Sequence, residues 1–320
     1  MIIAGSYAVR TMKTLSHEIR LGLLAVAGIA VFVSIFAHSM PQPRAYHLFA
    51  DARSCLGIPN FFNTASNLGF LAAGASMLIL LYTRRRKFAG MFIERGELWI
   101  FVVLYAATLM VTFGSGYYHL VPDNARLFWD RLPMTLVASA FVGTIVADRF
   151  GARAGVWSLV VLFVLSCGSL AYWLATQSLA QDNVWPYIAT VYGSLAFAVV
   201  AMALFPSRYT HAHAAWITLA IYIIAMAFDT WLDAPLYAGG AILSGHSLKH
   251  LLAALALFWL GWGALPKRRA KLPMREALGG SRYSPPASRL PPHASRLSSR
   301  RDKQRRCQPC EAVAIKLRRP

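Results

Sequence analysis

Apolar runs long enough to cross a bilayer recur eight times along this chain, separated by short polar segments. A crossing helix needs roughly 20 mostly apolar residues, and it satisfies its own backbone where no water can. The runs lie near residues 21–38, 61–82, 98–119, 128–147, 156–176, 185–205, 213–232 and 246–265. They predict an all-α integral membrane protein. The first run follows Arg10, Lys13 and Arg20 and ends Phe36-Ala37-His38-Ser39, a layout shared with signal peptides. Its long basic lead and the lack of a small-x-small cleavage site favour an uncleaved anchor. After Leu265 the pattern stops, and Ser, Pro and Arg dominate from Ser281 to Arg306, which predicts a disordered tail.

Composition agrees with this pattern. Of 320 residues 57% are hydrophobic and 14% charged, with a mean hydropathy of +0.47, more apolar surface than a soluble domain can bury. The formal charge of +19 could point to nucleic acid, but its placement does not. From Pro266 onward 16 Lys and Arg face only Glu276, Asp302 and Glu311, so +13 of the excess lies in the tail. Such a tail suits anionic lipid at a cytoplasmic surface, and no nucleic-acid partner is expected. Of the four cysteines, Cys55 and Cys167 stand alone, and Cys307 and Cys310 form one CxxC without further zinc ligands nearby.

Charge also orients the chain. Arg84-Arg85-Arg86-Lys87 follows the second run, Arg149 and Arg153 the fourth, Arg208 the sixth and the basic tail the eighth. The intervening loops, such as Asp123-Asn124 and Gln181-Asp182-Asn183, carry little positive charge. By the positive-inside rule both termini are expected in the cytoplasm.

That orientation sorts the nine histidines. The third run ends Gly114-Ser115-Gly116-Tyr117-Tyr118-His119 on the outer side, the fourth begins there with Phe128-Trp129-Asp130-Arg131, and the eighth begins there with His246 and His250. A four-residue spacing puts His246 and His250 on one helix face. His211 and His213 fall at the opposite side, His17 and His293 in terminal segments, and His38 and His47 in or beside the first outer loop. A membrane histidine is often only a hydrogen-bonded core residue. Three at one depth instead make a sound ligand set for zinc, with one position left open. Zinc can activate water at neutral pH, and Asp130 is the nearby carboxylate to take the proton. Ser115, one turn before His119, could steady a developing oxyanion. Asp229 and Asp233 could brace the ligands from behind. The residue after His246 is serine, so this is no HExxH metalloprotease helix.

Four elements then occur in the order seen in alkaline ceramidases: Asn60-Phe61-Phe62-Asn63-Thr64-Ala65-Ser66-Asn67-Leu68, Ser115-x-x-x-His119, Asp130-Arg131-Leu132-Pro133-Met134 and His246-x-x-x-His250. Over residues 51–265 the chain resembles that family and the wider superfamily of seven-helix membrane hydrolases that includes adiponectin-receptor-like proteins. The resemblance implies a seven-helix bundle over 46–265, an N-terminal cytoplasmic segment with an extra helix over 1–45, and a basic cytoplasmic tail over 266–320. It implies zinc on His119, His246 and His250, catalytic Ser115 and Asp130, and hydrolysis of a ceramide-like lipid amide drawn from the bilayer. A bacterial inner-membrane location follows, with the site toward the periplasm. One departure concerns calcium, which animal relatives hold through an acidic cluster before the Asn-rich element. Here Asp51 to Asn60 offers one carboxylate and an arginine, too few charged oxygens for that ion.

Two other readings remain open at this level. A receptor-like or regulatory protein of the same superfamily would keep zinc as a structural element. A transporter would use histidines as proton relays, but it should carry ionisable groups near mid-membrane, and here they gather near one face.

Overall fold

The computed structural model describes residues 15–179 and 181–271. The expected tail beyond Lys271, with Cys307 and Cys310, and the segment before residue 15 lie outside the described residues. Among those described there is no β-strand, only helices and two isolated bridges.

The helices are α1 (His17–Ser34), α2 (Phe61–Ala65), α3 (Leu68–Thr83), α4 (Arg85–Ala89), α5 (Arg95–Leu120), α6 (Asn124–Phe150), α7 (Ala152–Ser178), α8 (Trp185–Leu204), α9 (His213–Trp231), α10 (Asp233–Ala238) and α11 (Gly245–Phe258). Eight segments among the described residues are long and apolar enough to cross a membrane, as an integral membrane protein requires: α1, α2 with α3, α5, α6, α7, α8, α9, and α11 with its continuation to Lys267. Caps explain where they start. Ser16 accepts from Ile19 N at 3.3 Å, so α1 begins and ends four residues earlier than the run at 21–38. Asp123 accepts from Arg126 N at 2.7 Å, which starts α6 at Asn124 and adds a turn before the apolar stretch.

Close helix contact rests on missing side chains. A Cβ on Gly114 of α5 would come within 2.2 Å of the Trp129 carbonyl oxygen on α6, so only glycine permits that crossing. The contact sets α5 and α6 together one residue from Ser115 and Asp130. The apolar core between them and their neighbours includes Leu104, Tyr105, Met77 and Val142, all sealed from solvent.

The end of the bundle that holds Arg95 and Phe150 is closed by ions. Buried Glu97 accepts from Tyr209 Oη at 2.7 and 2.8 Å, from Arg208 at 3.1 Å and from Arg268 at 3.0 Å. Asp148 adds Arg268 at 3.1 Å and Arg149 at 2.9 Å. Burial and the adjacent carboxylate push the Tyr209 phenol up to about 12, so it stays a donor at ordinary pH. These groups tie α5, α6, the loop after α8 and the last described residues together. Removing the carboxylate takes the shared acceptor away from two guanidiniums and the Tyr209 hydroxyl, leaving Arg208 on Glu94 and Arg268 on Asp148. Glu97→Ala is therefore expected to cost about 3–5 kcal/mol, read as a lowered thermal midpoint in detergent. An unchanged midpoint would mean the network is decorative.

Candidate metal centre

At the other end of the bundle three imidazoles meet. His119 lies one residue from the end of α5, and His246 and His250 sit on the first turns of α11. Their ring centroids are 4.8–5.0 Å apart. One ligand nitrogen from each falls within 4.8 Å of the other two, and all three side chains are buried. The chain brings His119, His246 and His250 together as the sequence predicts.

The start of α11 is held tightly. Ser244 caps it by accepting from Ser247 N at 3.4 Å. Gly245 is required, since a Cβ there would lie 2.1 Å from the Phe228 carbonyl oxygen. Asp233 accepts from His246 N at 2.7 Å and from Ala50 N at 3.1 Å, so it braces the backbone rather than an imidazole. Asp229 braces the ring: its carboxylate meets His246 Nδ1 at 2.6 Å. An ionised carboxylate only accepts, so Nδ1 carries the proton and Nε2 presents a lone pair inward. Lys249 Nζ stands 3.3 Å from the same Nδ1 but bonds Asp229 Oδ2 at 2.9 Å. The shorter carboxylate contact decides where the proton sits.

His250 is oriented from the Asn-rich element. Ser66 Oγ donates to the Asn63 carbonyl at 3.1 Å and so accepts from His250 Nδ1 at 2.9 Å. Asn63 is itself engaged by Ser247 Oγ at 2.7 Å and donates to the Asp51 carbonyl at 2.9 Å. Asn60 Nδ2 donates to the His119 carbonyl at 2.9 Å. Read from sequence alone, Asn63, Ser66 and Asn67 are helix-packing contacts. In the fold Asn63 and Ser66 position metal-ligand candidates.

These bonds leave Nε2 of His246 and of His250 as bare acceptors inside the protein, while no bond fixes which nitrogen of His119 carries its proton. His246 Nε2 and His119 Nε2 are 3.4 Å apart. Two lone pairs at that distance repel unless a proton or a cation lies between them. A tetrahedral ion with metal–nitrogen bonds of about 2.0–2.1 Å places its nitrogens roughly 3.3 Å apart. The donor set therefore fits a metal ion. His119 Nδ1 makes no hydrogen bond.

A cavity of about 320 Å³ opens beside the three rings, lined also by Ser115, Asp130, Arg131 and Lys249. Ser115 and Asp130 are buried in that same lining, with the Ser115 hydroxyl near the Asp130 carboxylate. Deeper walls are apolar, with Met134, Phe141, Leu195 and Leu257 among them. Over the rings lies the segment between α1 and α2. Phe49 packs at 4.7 Å from His119 and 4.5 Å from His246. His47 bonds Tyr118 Oη at 3.0 Å and Asn124 at 2.9 Å. No sequence period marks this loop, so Phe49 and His47 were not legible as parts of the site. Below it, the Arg53 guanidinium takes both oxygens of Asp51 at 2.8 and 2.7 Å and holds that carboxyl below the usual range. His211 and His213 pair with each other at 5.6 Å, away from this cluster.

No family model and no curated protein matches the chain. The geometry alone carries the site.

Because Asp229 sets the ring orientation of His246, Asp229→Asn is expected to weaken metal binding by about 10–100-fold. Competition for zinc against a chelator of known affinity reads this directly. Unchanged affinity would mean that the carboxylate serves only Lys249.

Proposed function

We propose that this protein is a zinc-dependent membrane hydrolase of the alkaline ceramidase type, cleaving a lipid amide into a fatty acid and an amine. One observation carries this reading: the three inward imidazoles, Ser115 and Asp130 line a single cavity whose deeper walls are apolar. Zinc held by His119, His246 and His250 would supply Lewis acidity at the amide carbonyl.

The chain's own residues do the rest. Asp229 and Ser66 keep His246 and His250 turned inward. Asp130 accepts the proton from the water that attacks the carbonyl carbon, and then returns it to the leaving nitrogen as the carbon–nitrogen bond breaks. The Ser115 hydroxyl holds the Asp130 carboxylate in place and lies one turn from His119, near the developing oxyanion. The apolar walls take the acyl chain and keep bulk water away.

The arrangement we infer is a seven-helix bundle from α2 to the end of α11, with α1 added. Support comes from α1 packing against α8 and otherwise facing outward. Both described ends of the chain lie at the bundle end opposite the imidazoles. Arg20 bonds the Leu204 carbonyl at 3.4 Å, and Arg268 reaches Glu97. With the basic loops at that end, the reading places the termini in a bacterial cytoplasm and the site on the periplasmic side.

The test is hydrolysis of N-acyl lipids by the purified protein in vesicles. Fatty-acid release that stops on zinc removal and returns on zinc addition is the expected result. A zinc-loaded protein that releases none from a broad N-acyl panel would overturn the enzymatic reading.

A further inference from the structure

Arg131 is the least explained charge in the bundle. It lies on α6 beside Asp130, is 5% exposed and lines the cavity of the metal centre. Among the described residues it makes no ion pair with any carboxylate. Its Nη2 donates to Gln42 Oε1 at 2.7 Å, while Nη1 is buried with no partner at all. Asp182, which accepts from Gln42 N at 2.8 Å, is also taken by Trp173 Nε1 at 2.9 Å.

Three aromatic rings box the guanidinium, Trp173 at 4.6 Å, Tyr187 at 4.8 Å and Tyr46 at 5.4 Å. Stacking of this kind offsets part of the burial cost of a cation, but it supplies no acceptor for Nη1. A desolvated, unpaired guanidinium inside a membrane bundle marks a place where an anion is received. Its height in the cavity says which part of a ligand would meet it. Arg131 stands level with Asp130, whereas Phe141 lies ten residues further along α6, about 15 Å deeper at a helical rise of 1.5 Å per residue. Arg131 therefore stands at the depth of the reacting end of a bound amphiphile, not of its tail.

We propose that Arg131 recognises a carboxylate on the amine side of the scissile amide, which makes N-acyl amino acids the preferred substrates over uncharged N-acyl lipids. The inference rests on the amidase reading of the same cavity. A guanidinium hydrogen-bonding a carboxylate is directional and strong. A charged hydrogen bond of this type converts to a preference of about tenfold or more.

Equilibrium binding to the purified full-length protein, in nanodiscs of zwitterionic lipid, tests this without requiring turnover. The probes are N-palmitoylglycine and N-palmitoylethanolamine, equal in chain and differing in charge. The wild-type protein should bind the anionic probe at least about tenfold more tightly. Arg131→Gln should bring the ratio near one, and Arg131→Lys should restore part of it. Gln42→Ala should leave the ratio intact, because it removes only the bond that anchors the outer segment. A wild-type ratio near one overturns the proposal. So does a Gln42→Ala ratio that collapses as fully as that of Arg131→Gln, since the guanidinium would then act by holding that segment. Preferential binding without any amide cleavage would sink the amidase reading and keep the anion site, whereas cleavage with no preference would do the reverse.

Discussion

Asp130→Asn is expected to lower N-acyl lipid hydrolysis by a factor of about 10²–10⁴, with metal content and thermal midpoint unchanged. The side chain is buried against Ser115 and makes no ion pair among the described residues. Asparagine keeps its size and can still meet the Ser115 hydroxyl. What it loses is the capacity to take a proton from water and return it to the amine. The variant should therefore look native in every assay except turnover. Single-turnover release of fatty acid, measured beside zinc content, separates the outcomes. Equal loss of zinc and activity would make Asp130 a ligand. A wild-type protein with zinc but no activity would point to a structural metal in a receptor-like protein.

The second large effect is at the ligands. His246→Ala combined with His250→Ala should take zinc from about one equivalent per chain to none after dialysis against a mild chelator. Two of three imidazoles vanish together, and Ser115 and Asp130 cannot replace neutral nitrogen donors in that geometry. Because metal binding stabilises whatever state presents the assembled ligands, zinc should raise the thermal midpoint of the wild-type protein. It should leave the double variant unmoved. A zinc-dependent midpoint in that variant would place the metal elsewhere, and His211 with His213 would be the first residues to examine.

Much of this site could be read from the chain because two signals happen to be periodic. Apolar runs mark the spans directly, and their alternating charge assigns His119, Asp130 and His246 to one end. The four-residue spacing of His246 and His250 then survives folding unchanged, since both sit on the regular turns of α11. Asp229 was likewise visible, one turn from the outer end of its run. Asp233 was placed in the right neighbourhood but with a different task, because it meets the His246 backbone and not the ring. The segment from Met40 to Asp51 was not visible. It has no repeat, and it takes its conformation from distant partners: Asn183 bonds Met40 N at 3.1 Å, and Asp182 bonds Gln42 N. Phe49 over the imidazoles and Gln42 on Arg131 follow from those tertiary bonds alone. The unpaired state of Arg131 was also hidden, since adjacency to Asp130 in sequence reads as an ion pair. In the fold no such pair forms, and the guanidinium bonds Gln42 instead.

The central claim is that three neutral imidazoles on two helices hold one metal ion with a position left open toward the cavity. Zinc-edge X-ray absorption on the purified protein measures this most directly. The account predicts one zinc per chain with three nitrogen neighbours at about 2.0–2.1 Å and a single light-atom neighbour besides. A sulfur-containing shell, a shell of oxygens alone, or protein isolated without metal and unable to take it up would contradict it.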